Sequence, residues 1–285
     1  MPASKKDSGK KSQNAGVSSS EGTDVVFTLR YWQIRGLAAP LRMALAYALG
    51  PPALSDGTRG VRCWKDASYL RQGGKGVNVP ECSIAWYKLD KPDLFLENPL
   101  ANLPLVEMDK PGGKRRVVSQ SIACELFLTQ ELYPEVKDMV DAAQVLAEIH
   151  DVRDMFVRLC YGPQANFDAN KTNHMNNVRR NFAKLEAWLA PASSEPGAKR
   201  KRDEGSSLYL LKTSTPTPAD FHLFEMIDQH MTFASSHKID FDVTTEFPNL
   251  GRLHEAIKRD PKLKAAYFDS DAASYPINNP QANFF

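Results

Sequence analysis

The sequence predicts two units in one chain, an α/β unit followed by a unit built of helices alone. Three observations predict it. Up to about residue 131, short β-branched and aromatic runs alternate with single helices and a Gly-containing hairpin. Beyond Pro134 the apolar spacing is helical throughout. Finally, 285 residues at 42% hydrophobic and 25% charged are an ordinary globular balance, and roughly two domains' worth of core.

Residues 1–23 are Ser, Lys, Gly and Asn with almost no large apolar side chain, and are expected to be a disordered tail. The first unit is expected over 24–131. Val25-Val26-Phe27-Thr28-Leu29 reads as its opening strand. A helix over 41–49 follows, with Leu41, Ala44, Leu45 and Ala48 at helical spacing, and Gly50-Pro51-Pro52 stops it. Gly57, Gly60, Gly73, Gly74 and Gly76 break the pattern over 53–98. Most of that stretch reads as irregular, with a short strand at Val61-Arg62-Cys63-Trp64. Pro104-Leu105-Val106-Glu107-Met108 and Arg116-Val117-Val118 flank Pro111-Gly112-Gly113, which makes a hairpin. Ser119 is expected to cap the next helix, which presents Ile122, Leu126 and Phe127 on one face. Strand, helix, strand, hairpin and helix in this order build a thioredoxin-like sheet.

The all-helical unit is expected over 135–285, with long helices at 140–159 and 176–189. Thr217-Pro218-Ala219-Asp220 opens another, with Thr at the N-cap, Pro at the first helical position and Asp at the third. Short helices fit 248–259 and 262–267. Residues 191–206 read as a charged, solvated loop insertion, although Lys199-Arg200-Lys201-Arg202 also fits a nuclear address.

Net charge is +2 and the sequence pI about 8.2, which does not argue for nucleic acid. The only basic cluster is one short loop without aromatic interleaving. No run of 18 apolar residues and no secretory core appear, and none of Cys63, Cys82, Cys124 and Cys160 forms a CxxC pair. A cytoplasmic protein with reduced thiols and no membrane partner is the expectation.

The six histidines show no spacing suited to a metal, so no metal is expected. No Gly-rich phosphate loop follows the first strand, and no Gly-x-Ser-x-Gly is present. What remains is Tyr31-Trp32-Gln33-Ile34-Arg35-Gly36-Leu37, between the first strand and the first helix. Read alone, its aromatics are ordinary edge residues.

These residues resemble the opening of the glutathione transferases, in particular their mu-like branch. Asn102-Leu103-Pro104 before the hairpin resembles that family, as do Ser119-Gln120-Ser121 at the next helix start, Leu159-Cys160-Tyr161 with Pro163, and Phe247-Pro248-Asn249-Leu250. The landmarks occur in family order over about residues 25–280. The resemblance implies the transferase fold, in which a thioredoxin-like domain binds glutathione and an all-helical domain follows.

It also implies a chemistry. A thiol has a pKa near 8.5, so little thiolate exists at neutral pH. A hydroxyl donor aimed at the sulfur favours the thiolate, and by resemblance Tyr31 is that donor. Pro104 is held in cis in the family, which presents the Leu103 backbone to the cysteinyl part of glutathione. Gln120 and Ser121 stand at a helix N-terminus, suited to the γ-glutamyl carboxylate. Trp32 and Trp86 offer indole N–H groups to the glycyl carboxylate, with Lys88 or Lys91 adding charge; Trp86 is preferred to Trp64 from its setting. Leu37 and Asn102 complete the implied glutathione contacts. Asp151 either reaches across a dimer to the γ-glutamyl amine or is a solvated helix residue. Tyr161 either assists the electrophile as a proton donor or caps a helix end.

The chain departs from the family in its longer 53–80 stretch, in the 191–206 insertion, and in Lys212-Thr213 where Gly-Asp is usual. Leu100 stands where an aromatic dimer key is common. The function implied is conjugation of glutathione, as co-substrate, to small hydrophobic electrophiles in detoxification, by a homodimer. Glutathione-dependent isomerisation of the sigma (prostaglandin) type, or a non-catalytic scaffold on the same fold, are the alternatives.

Overall fold

The computed structural model describes residues 25–53, 62–70, 85–190 and 207–285. The 1–23 tail, the five glycines between 57 and 76, Cys82 and the 191–206 loop lie outside them.

β1 (Val26–Trp32) turns Phe27, Leu29 and Tyr31 inward, the alternation a half-buried strand requires. It lies between β2 (Cys63–Tyr69), which runs parallel to it, and β3 (Leu105–Asp109), which runs antiparallel. β4 (Arg116–Ser119) completes a sheet of order β2-β1-β3-β4. The parallel pair demands a crossover, and α1 (Ala39–Leu49) supplies it, burying Leu41, Met43, Ala44 and Leu45. Gly50, at φ +83°, ends the helix.

Two expectations are corrected. The stretch before Asn98 is not mainly irregular among its described residues, because a π-helical turn (Ala85–Asp90) runs into α2 (Lys91–Glu97). Only Leu94 of α2 is buried, while Phe95 and Leu96 are exposed, so the segment carries no amphipathic stripe for periodicity to detect. Ser119 does not cap the following helix. It is the last residue of β4, and its hydroxyl bonds both the N–H and the carbonyl of Asn102 at 2.9 Å. The N-cap of α3 (Ser121–Leu132) is Gln120, whose φ of +76° turns the chain from strand to helix.

The helical unit comprises α4 (Met139–Tyr161), α5 (Gln164–Leu189), α6 (Pro218–Ser236), α7 (Val243–Glu246), α8 (Pro248–Lys258) and α9 (Pro261–Leu263). A π-helical turn (Lys264–Phe268) extends α9. α6 is central and packs on α1, α3, α4 and α8, so one apolar core runs from the sheet into the helices. Its predicted capping box is present. Asp220, fully buried, accepts from the Thr217 N–H (2.8 Å), the Thr217 hydroxyl (2.7 Å) and the Leu210 N–H (2.7 Å). Asp220→Ala leaves two buried N–H groups unpaired and should lower stability by about 2–4 kcal/mol in urea unfolding. A midpoint unchanged from wild type would show that water replaces the carboxylate without loss.

Candidate active site

The C-terminal end of β1 places Tyr31, just before the loop to α1. Its side chain is buried, and the Leu37 N–H donates to its hydroxyl oxygen at 3.1 Å. That contact depends on Gly36, at φ +43°. A Cβ there would stand 2.7 Å from the Tyr31 oxygen and 2.8 Å from its ring, closer than such atoms approach. The N–H occupies one lone pair of the hydroxyl and leaves its proton to be donated elsewhere.

The rest of the loop is clamped from α1. Arg42, completely buried, bonds the carbonyls of Ile34 (2.8 Å) and Trp32 (3.1 Å), the Ser68 hydroxyl (2.8 Å) and Asp66 (2.7 Å). Sequence reasoning missed Arg42; its signal was a charged residue inside the apolar run Leu41-Arg42-Met43-Ala44. Gly36 also went unremarked within its motif.

Of the implied glutathione residues, the structure brings Trp32, Trp86 and Lys91 together. Trp32 meets Tyr69 and Tyr87 with ring centroids 5.9 and 6.1 Å apart, and Trp86 meets Tyr69 at 5.7 Å. Trp32 and Trp86 therefore share one aromatic cluster, although Trp86 itself is almost wholly buried. Lys91 Nζ stands 5.9 Å from the centroids of Trp86 and Tyr87, while Lys88 is exposed. The Trp64 indole N–H is already committed to the Gly50 carbonyl at 2.8 Å. Tyr69 is held by Asp90 and Arg30, and its hydroxyl pKa is pushed up to about 12, by burial first and by the Asp90 hydrogen bond second.

The Leu103–Pro104 peptide is cis. Asn102 is exposed, Leu103 half-buried and Pro104 buried. Gln120 is exposed and Ser121 half-buried at the first turn of α3, where free backbone N–H groups collect. Asp151 is exposed on α4.

Tyr161, the last residue of α4, is reached by the C-terminal segment. The Asn279 N–H donates to its hydroxyl at 3.0 Å, and the Asn283 N–H to the Cys160 carbonyl at 2.7 Å. The same segment bonds the tyrosine loop, through Arg35 N–H to the Pro276 carbonyl (2.8 Å) and Gly36 N–H to the Ile277 carbonyl (3.0 Å). The Tyr161 hydroxyl pKa is raised, by burial first; hydrogen bonding from Asn279 opposes the rise and Tyr31 adds to it. The two tyrosines are thus near enough to feel each other. Sequence periodicity gave no sign of this strap, because residues 276–285 form no long regular element.

Spacing along the sequence pointed to no metal grouping, but the fold brings three candidate ligands together. Glu125, His150 and His222, far apart in sequence, meet in the interior with ligand atoms within 4.8 Å of one another.

A thioredoxin-like sheet with a tyrosine near the end of its first strand, joined to an all-helical unit, is the architecture that the comparisons with glutathione transferases share. Residues 150–271 match the family model for the glutathione S-transferase C-terminal domain. Glutathione S-transferase Mu 1 of Oryctolagus cuniculus is 24% identical over 251 residues, which cover 88% of this chain and 94% of the relative. Glutathione S-transferase 2 of Gallus gallus is 26% identical over 210 residues, covering 73% and 77%. Among solved structures, a Pi-class glutathione S-transferase of Onchocerca volvulus superposes with a TM-score of 0.59 at 21% identity, over 90% of this chain and 99% of that one. Residues 150–271 are thus similar to the C-terminal domain of the glutathione S-transferases, and the chain is similar to members of that family over most of its length.

Proposed function

We propose that this transferase conjugates the thiolate of glutathione to small apolar electrophiles, with Tyr31 stabilising the thiolate. The observation that carries the reading is the pairing of Tyr31 with the Leu37 N–H. The hydroxyl oxygen accepts from the backbone there, which leaves its proton free for donation to a thiolate sulfur. A charge-assisted hydrogen bond is worth about 1.5–3 kcal/mol, which lowers a thiol pKa by roughly one to two units.

In this reading the unit over 24–131 binds glutathione and the unit over 135–285 faces the electrophile. The α3 N-terminus with Gln120 and Ser121 takes the γ-glutamyl carboxylate, and the Leu103 backbone pairs with the cysteinyl part. Trp32, Trp86 and Lys91 lie together at the glycyl end. Tyr161 supplies a proton or hydrogen bond to an oxygen that gains charge as the thiolate adds; its raised pKa keeps it protonated for that step. A cytoplasmic, mu-like homodimer keyed by the exposed Leu100 is part of the same reading.

The test is conjugation of glutathione to chlorodinitrobenzene at neutral pH. Tyr31→Phe should reduce kcat/KM ten-fold or more, equivalent to about 1.4 kcal/mol of lost transition-state stabilisation. The pH at which rate rises should move up by one to two units. Wild-type protein that binds glutathione without accelerating the reaction, unaltered by the substitution, would favour the scaffold reading instead.

A further inference from the structure

Glu125 lies in the middle of α3, and its side chain is fully buried. His222 projects from α6 and is 1% exposed; His150 projects from α4 and is 13% exposed. Glu125 Oε2 is 3.1 Å from His150 Nε2, and Glu125 Oε1 is 2.6 Å from His222 Nδ1. The two imidazoles meet edge to face, with centroids 4.5 Å apart and planes at 81°.

One of these contacts is not an ordinary hydrogen bond. Glu125 Oε1 and His222 Nδ1 attract each other, yet the imidazole does not aim an N–H along the line to the oxygen. Both atoms, and His222 Nε2, are buried without a hydrogen-bond partner. Buried polar atoms are seldom left so, and three in one cluster call for a missing partner.

A carboxylate and two imidazoles are groups that ligate metals, and here they converge from three helices. No Lys or Arg among the described residues pairs with Glu125, so its negative charge is met by histidines alone.

We propose that Glu125, His150 and His222 bind a divalent zinc ion that pins α3 of the sheet unit to α4 and α6 of the helical unit. Two imidazoles and a carboxylate are a zinc ligand set, with water or a further ligand in the fourth position. Tetrahedral bonds of about 2.0–2.1 Å separate ligand atoms by roughly 3.3 Å, so the two Glu125–His contacts, at 3.1 and 2.6 Å, would open by less than about 1 Å. Its place in the fold is structural: the ligands come from three helices packed on one another, and the tyrosine loop supplies none.

The experiment uses the full chain, dialysed against chelator and then titrated with zinc alone. Expected are one equivalent of bound zinc per chain and a thermal midpoint raised by about 5–10 °C at a hundred-fold excess over Kd. Cobalt in place of zinc should show the visible absorption of a nitrogen- and oxygen-ligated ion, without a thiolate charge-transfer band. His150→Gln, at the least buried ligand, should fold and lose at least ten-fold in affinity. Glu125→Gln should lose binding altogether if it folds. Failure to take up zinc, uptake without a midpoint shift, or uptake undiminished in His150→Gln would each overturn the proposal and leave a purely hydrogen-bonded His–Glu–His cluster.

Discussion

Replacing Gly36 by alanine is expected to lower kcat/KM for glutathione conjugation by about a hundred-fold while the chain still folds. The added methyl would sit 2.7 Å from the Tyr31 oxygen, so either the ring or the loop must move. The positive φ adds a conformational penalty of order 1 kcal/mol for any residue but glycine. Two functions are lost together. On the proposed reading the Tyr31 hydroxyl is displaced from the thiolate it stabilises, and the Leu37 backbone that holds it is displaced with it. A misplacement of about 1 Å at a reacting group is enough for a hundred-fold effect. Combining Gly36→Ala with Tyr31→Phe should cost little beyond the glycine change alone, because both act through one hydroxyl. Full additivity of the two would show that Gly36 serves something other than Tyr31. Thermal unfolding of the same variants separates a displaced tyrosine from a damaged loop.

The second large effect concerns stability. Arg35 forks onto Glu225 through Nε and Nη2, both at 3.1 Å, and its Nη2 reaches Asp228 at 2.6 Å. Glu225 is 1% exposed, so Arg35→Met strands a buried carboxylate. Loss of about 3–5 kcal/mol is expected in urea unfolding, with much of it regained in the double variant Arg35→Met/Glu225→Met. Asp228 gives this contact a pH dependence. Burial alone would raise its pKa, but His254, 3.7 Å away, and Arg35 bring it down to about 2. A carboxyl whose folded pKa lies below its unfolded value near 3.8 contributes stability above about pH 4. That contribution disappears as pH falls toward about 2. The wild type should therefore lose more stability than Arg35→Met over that interval, and equal losses would remove Arg35 from the account.

The readable parts of this sequence were those whose physics is local. The Thr217-to-Asp220 capping box, the hairpin around Pro111-Gly112-Gly113 and the inward alternation of β1 are each written within a few residues. α2 was not readable, because a helix that buries only Leu94 has no stripe. Gln120 could not be told from Ser119 as the cap, since a serine hydroxyl suits either a cap or the Asn102 backbone, and only the strand's end decides. At the site, Tyr31 was found through motif resemblance, whereas Arg42 and the C-terminal strap act through contacts remote in sequence. The grouping of Glu125 with two histidines was hidden for the same reason: its members lie on α3, α4 and α6, and no spacing rule joins them.

The strap has a consequence for how the two substrates sense each other. One short stretch of backbone holds the tyrosine loop through Pro276 and Ile277 and holds Tyr161 through Asn279. On the proposed reading, with glutathione at Tyr31 and the electrophile at Tyr161, a shift of that stretch on occupation of one side would reach the other through these hydrogen bonds. Such linkage is reciprocal by thermodynamic necessity. Whatever factor a bound electrophile imposes on the affinity for glutathione, glutathione imposes on the affinity for that electrophile, so the order of arrival governs kinetics and leaves the free energy of the ternary complex unchanged.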